Sequence, residues 1–329
     1  TFLQHTCARN PRWLARQGIV YPDMLSGNPN HITLVFASST RIHDFARDYG
    51  LNDAEDVARF RRKLSDHVGA QVAAAPRGTR RMVMSSENLT GNLAGPRSLA
   101  TLRELLAPHF SALRVVVYLR RQDDAILSMY GEFLRRGFTA GTIDEFITRA
   151  LGPNTATPYL YYRRMLSQWI DAFGREAITV RLYDRDELAG GDILADFLST
   201  VLGAPCPALD RLERSARGNV GLSAPALDYL RHIQSFLPFR RGGAPNPDRA
   251  ALAERIDALP SEPRPELSRA QSERIMAHFA PANDWLAKTF FPDRPVPLFP
   301  PRRDLGETGN LDRLTREEFA RFTRQLMES

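Results

Sequence analysis

The chain has 329 residues, 43% hydrophobic and 25% charged, a balance that excludes wholesale disorder and suits one large α/β domain or two smaller ones. Its longest strongly apolar run, Leu113 to Leu119 with Arg114 inside it, is far too short to span a bilayer. The net charge of +6 is carried almost wholly by arginine, with only Lys63 and Lys288 as lysines; it is spread along the chain with no basic stripe interleaved with aromatics, which argues against nucleic acid.

Phe2, Leu3, Cys7, Trp13 and Leu14 fall near one face of a helix over 1–17, which Gly18 ends. Ile19–Tyr21 reads as a short extended stretch stopped by Pro22, and 30–75 as mostly helical with a break near Tyr49–Gly50. Arg81–Ser85 reads as a buried strand, followed by a Gly/Asn turn and a helix at about 97–108. Leu113–Leu119 is a second strand, with a helix to about 136 directly after it. A helix at 158–173 leads to a third strand, Ala177–Tyr183, and a helix near 191–202. This alternation predicts βαβ units and a parallel sheet flanked by helices.

Beyond Ala216 the pattern is helical (223–237, 248–258 and 267–288). A Pro-rich connection over 293–311 reads as extended chain rather than core, and an amphipathic helix at 312–327 closes the sequence. The expectation is a single α/β domain over 1–329 with helical additions toward the C-terminus. Cys7 and Cys206 cannot build a disulfide framework, so reduced thiols and a cytoplasmic location are expected. Arginine in place of lysine chiefly reflects a GC-rich coding sequence; what remains of the signal is phosphate or sulfate binding, which suits a planar bidentate fork.

The most informative segment runs from Val115 to Tyr130. A buried strand ends at Leu119, Arg120 and Arg121 follow at its carboxyl end, and Ser128 lies eight residues after Arg120, two turns into the next helix. In open parallel sheets that edge is where ligands bind. A strand followed by a solvated helix start, with Asp123 and Asp124 favouring the helix dipole, accounts for the same residues about as well.

Arg120, Ser128 and Tyr130 match the spacing of a motif in the sulfotransferases that use 3′-phosphoadenosine 5′-phosphosulfate, and the chain resembles that family. The resemblance extends to Thr1-Phe-Leu-Gln, Ala8-Arg-Asn10 and Gly18-Ile-Val-Tyr-Pro22, similar to the region after the family's phosphosulfate loop. Tyr162–Trp169, Phe173-Gly174 and Ile178–Tyr183 are similar to a later helix and strand. It covers roughly residues 1–225 through scattered motifs.

The resemblance implies a P-loop nucleoside-triphosphate-hydrolase-like sulfotransferase fold of bacterial, carbohydrate-acting type. Its first strand and the lysine-bearing loop are expected ahead of Thr1. It also implies Arg120 and Ser128 on the donor's 3′-phosphate, Thr1 at the edge of the phosphosulfate loop, and Arg217-Gly-Asn219 as a basic segment closing over the donor. A solvated turn explains that last segment at least as well.

The implied partners are the donor as co-substrate and a hydroxylated acceptor, a sugar or glycolipid. In-line sulfuryl transfer resembles phosphoryl transfer through a loose transition state, where positioning and charge do most of the work and no metal is required. Two residues compete for the general base. Glu87, in Met84–Leu89, is placed just past the carboxyl end of the Arg81–Ser85 strand, and His31, in Asn28–Ile32, precedes a helix. Each also has a structural reading, as a turn start beside Ser85 and Ser86 and as a packing or capping histidine. A P-loop kinase and a non-catalytic protein of the same fold stand as alternatives.

Overall fold

In the computed structural model, the structure describes residues 2–328 apart from 94, 140, 154–157, 216–220, 235, 243 and 258–261. In chain order the elements begin with α1 (Phe2–Arg9), α2 (Pro11–Arg16), β1 (Ile19–Val20), α3 (Thr33–Ser38), α4 (Asp44–Arg47), α5 (Ala54–Ala73) and β2 (Arg81–Met82). They continue with α6 (Asn88–Asn92), α7 (Pro96–Leu106), β3 (Val115–Leu119), α8 (Gln122–Arg136) and α9 (Ile143–Ala150). Next come α10 (Tyr162–Phe173), β4 (Ile178–Leu182), α11 (Ile193–Leu202), α12 (Ala224–Ile233), and the hairpin strands β5 (Arg240–Arg241) and β6 (Ala244–Pro245). The last helices are α13 (Pro247–Asp257), α14 (Arg269–Phe290) and α15 (Arg316–Glu328). The fold class is α/β, with small parallel sheets flanked by helices.

The chain divides into two compact units. The first holds 1–119 and 162–218, the second 120–161 and 219–329. In the first unit β1 pairs in parallel with β2, Ile19 opposite Arg81, and β3 pairs in parallel with β4 from Val115–Ile178 to Leu119–Leu182. These are two separate two-stranded sheets. Val115, Val116 and Val117 stay half-buried, although a strand inside a parallel sheet is normally covered on both faces.

The expected helix over 1–17 is in fact two helices. Pro11, which lacks an N–H, starts the second at its first position, where that loss costs nothing. Asn10 at the break turns its amide onto the carbonyl oxygens of Thr6 (2.7 Å) and Glu213 (2.9 Å). Gly18 ends α2 at φ +70°, where a Cβ would come within 3.2 Å of the Gly78 carbonyl oxygen, so glycine is required for the chain to enter β1 there. The expected strand Arg81–Ser85 is laddered only over Arg81–Met82, with one further bond from the Val83 N–H to the Val20 carbonyl at 2.8 Å.

The second unit packs α8, α9, α12, α14 and α15 around Ile126, Tyr130, Leu134, Ile147, Leu227, Leu230, Ile275 and Phe279. Residues 293–311 form no helix or strand, as expected of a Pro-rich connection. The expectation that they lie outside the core is corrected: Leu298, Leu305 and Leu311 are buried, and Leu311 joins this cluster, because prolines break helical periodicity without preventing burial. The closing helix starts at Arg316 rather than 312, because Thr315 accepts the Glu318 N–H (3.2 Å) while Glu318 accepts the Thr315 N–H (2.9 Å).

Candidate functional site

In the first unit the candidate residues gather around Ser85, where the chain leaves β2. The Ser85 carbonyl accepts the His31 N–H at 3.0 Å and the Gln4 amide at 3.3 Å, while the Ser85 N–H donates to His31 Nδ1 at 3.0 Å. The other face of the imidazole carries the Tyr21 ring, centroids 4.4 Å apart, and Tyr21 donates its hydroxyl proton to the Pro29 carbonyl at 2.6 Å. His31 is 1% exposed. Burial lowers its pKa to about 4, against the weaker opposing pull of a hydrogen bond to the Pro22 backbone and of Asp23. One ring nitrogen accepts from Ser85 and the imidazole also bonds Pro22, so this histidine is held neutral as a pin between segments.

Glu87 lies two residues past Ser85, immediately before α6, and is exposed. No side-chain bond caps α6; Ser86 Oγ accepts the Asn88 N–H at 3.2 Å. Its charge reaches the neighbouring phenol: the Tyr21 pKa is raised, first by burial and further by Cys7 and Glu87. Glu87 and His31 are thus brought to one corner, with Tyr21 between them, a residue that sequence reasoning matched only as part of a motif.

Thr1 and Arg217 lie outside the described residues. The chain leading toward Arg217 is nonetheless tied to the start of the molecule. The Glu213 N–H donates to Asn10 Oδ1 (3.0 Å) and the Ser215 N–H to Thr6 Oγ1 (3.1 Å). Thr6 and Asn10 are both buried. These two anchors were missed in the sequence, where their only signal is a polar residue at a position facing the core.

In the second unit Arg120 and Arg121 precede α8 and have different surroundings. Arg121 is buried; its Nε and Nη2 donate to the two carboxylate oxygens of Asp123 at 3.1 and 3.0 Å, and its Nη1 donates to the Pro300 carbonyl at 2.5 Å. Ser272 donates to the same carboxylate at 2.6 Å. Burial pushes the Asp123 pKa up, but the bonds from Arg121 and Ser272 outweigh it and hold the carboxyl below its ordinary value. Asp124 pairs with Arg302 at 2.8 Å. Its pKa is raised because burial outweighs the attraction of that arginine.

Arg120 is half-buried and Ser128 is exposed on α8. Tyr130, the third residue of the spacing, is fully buried and donates to the Gly141 carbonyl at 3.0 Å, so its role is packing. The reading of Asp123 as a solvated dipole partner is corrected, since it is a buried, fully engaged carboxylate.

A cavity of about 270 Å³ opens beside this network, between α14 and residues 297–305, with Met276, Ala280, Phe299 and Leu305 among its walls and Arg121 and Asn283 at its polar side. Asn283 and Gln122 bond each other reciprocally at 2.7 and 3.1 Å.

No family model matches the chain, and no solved structure matches it. It is similar to an uncharacterized protein of Archaeoglobus fulgidus, 32% identical over 124 residues. That stretch is 38% of this chain and 31% of the relative. The chain thus spans about a third of the length of the curated relative it matches. Among the described residues no helix is long and apolar enough to cross a membrane.

Proposed function

We propose that the protein is a sulfotransferase, moving a sulfuryl group from 3′-phosphoadenosine 5′-phosphosulfate to a hydroxyl of a carbohydrate or glycolipid, on a P-loop-like parallel sheet. The observation that carries this reading is the placement of half-buried Arg120 directly before α8 with exposed Ser128 two turns on, at the end of a parallel strand. We assign these two residues to the donor's 3′-phosphate, and Arg121 to Asp123 and Pro300. A guanidinium and a hydroxyl supply the charge-assisted and neutral donors that a phosphate monoester needs.

The sheet supports the same reading. β2 has β1 as its strand partner and β3 has β4. Both pairs are parallel, as the strands of the proposed fold are. Arg120 binds and orients the donor. Glu87, exposed immediately before α6, accepts the acceptor hydroxyl's proton as its oxygen attacks sulfur, while the adenosine bisphosphate leaves with the electron pair of the broken S–O bond. His31, with its ring nitrogen occupied by the Ser85 N–H, positions the Ser85 corner instead.

Titration calorimetry with adenosine 3′,5′-bisphosphate and adenosine 5′-monophosphate tests the assignment. Loss of a charge-assisted contact of about 1.5–3 kcal/mol predicts that Arg120→Ala weakens the bisphosphate by roughly one to two decades and the monophosphate far less. Ser128→Ala acts in the same direction but less. Equal losses for the two nucleotides reject the site.

A further inference from the structure

The cavity beside α14 lies wholly within the second unit, and its walls have a definite order. Glu273, Met276, Ala280 and Asp284 line it from one stripe of the helix, because steps of three, four and four residues each return near the same face. Eleven residues of helix set the two carboxylates about 16 Å apart along its axis, with the apolar Met276 and Ala280 between them. Phe299 and Leu305 close the trough from the other side. Its volume of about 270 Å³ is that of roughly nine water molecules.

Three arginines also line the cavity, and each has a carboxylate partner. Arg121 bonds Asp123, Arg302 lies 2.8 Å from Asp124, and Arg269 lies 3.1 Å from Glu307. The buried amide of Asn283 is likewise engaged, with Gln122. Glu273 and Asp284 differ. Both are exposed, and among the described residues neither has a hydrogen-bond or ion-pair partner, although Arg269 and Lys288 stand one turn from them. The charge left uncompensated on these walls is therefore negative, and it sits at the two ends of an apolar floor.

We propose that this cavity binds a linear organic dication, two ammonium groups joined by an aliphatic chain, as in a diamine or polyamine. One ammonium meets Glu273 and the other Asp284, while the methylenes between them lie along Met276, Ala280 and Phe299. A chain of about eight carbons, with a charge-assisted bond of about 2.8 Å at each end, matches the span between the carboxylates. Both ion pairs form at the exposed rim, so neither partner bears the full cost of desolvation, and the chain leaves water for an apolar wall. An anion would meet two like charges there, and a monoamine would leave one carboxylate unmet. Binding of this kind does not depend on Arg120 or Ser128.

The test is isothermal titration calorimetry of the full chain at low ionic strength with 1,8-diaminooctane, octylamine, putrescine and octanoate. The long diamine is expected to bind roughly threefold more tightly than octylamine, which lacks the second charge. It should bind about tenfold more tightly than putrescine, which is too short to reach both carboxylates and buries less chain. Octanoate should not bind, and added salt should weaken the diamine. Glu273→Gln and Asp284→Asn should each weaken it roughly threefold, and together about tenfold. Glu317→Gln, which removes an exposed carboxylate on α15, should leave binding unchanged, and circular dichroism checks that all variants fold. Equal affinity for the diamine and octylamine, octanoate binding as tightly as the diamine, or a double variant that binds like the parent overturns the proposal. So does a loss in Glu317→Gln as large as that in Glu273→Gln, because the diamine would then follow net charge alone.

Discussion

Replacing His31 by leucine separates a structural histidine from a catalytic one through stability alone. The imidazole is buried and its Nδ1 accepts the Ser85 N–H at 3.0 Å; leucine fills most of its volume and leaves that donor without an acceptor. A buried unsatisfied N–H costs about 1–3 kcal/mol, so near neutral pH the variant should be about 2 kcal/mol less stable. The gap is pH-dependent with a definite sign. Burial lowers the histidine from 6.5 to about 4 in the folded chain. Its contribution is therefore fully present above pH 6.5 and is lost as pH falls through that window, because the unfolded chain takes up the proton first. A shift of this size corresponds to roughly 3 kcal/mol. Urea unfolding of parent and variant at a series of pH values, read by tryptophan fluorescence, should show the two stabilities converging below pH 6.5, meeting at about pH 5 and reversing order below it. A gap constant across the window refutes the buried neutral pin and reopens His31 as a titrating group.

Other perturbations bear on the first unit. Asp196 is buried and accepts the Tyr118 hydroxyl (2.7 Å), Arg181 Nε (2.9 Å) and the Ala189 N–H (3.0 Å); removing it in Asp196→Ala should cost about 3–5 kcal/mol in a denaturant melt, with Asp196→Asn milder. Burial raises the Asp196 pKa, but the bonds from Arg181 and Tyr118 outweigh it and hold it below 3.8, so this stabilisation should persist at neutral pH and fade only as pH falls below that value; a melt that weakens on raising the pH contradicts it. Glu87→Gln should lower sulfuryl-transfer turnover by roughly two to four decades with bisphosphate affinity nearly intact, and a small effect removes Glu87 as the base.

What could be read in advance divides by the range of the interaction. β3, α8, β4 and α11 follow from local patterning, because a valine-rich run and helical periodicity each declare themselves within a few residues. α9 carries a local signal as well: Thr142-x-x-Glu145 forms a capping box, with the Glu145 N–H 3.3 Å from Thr142 Oγ1 and the Thr142 N–H 2.8 Å from Glu145. The burial of Leu298 and Leu305 is not legible in the sequence, since prolines erase the periodicity by which a buried face is read.

The candidate site shows the same limit at the scale of single side chains. Arg120 and Arg121 are chemically identical neighbours, and spacing to Ser128 alone favours the first by one residue. The structure commits Arg121 to Pro300, 179 residues on, and its partner Asp123 to Ser272, 149 residues on. His31 is likewise decided by Ser85, 54 residues away. A motif names the residue types that a chemistry needs, but long-range bonds withdraw some of those residues from it. Arg121 and His31 are withdrawn in this way, and variants at Arg120 and Glu87 test the proposal most directly.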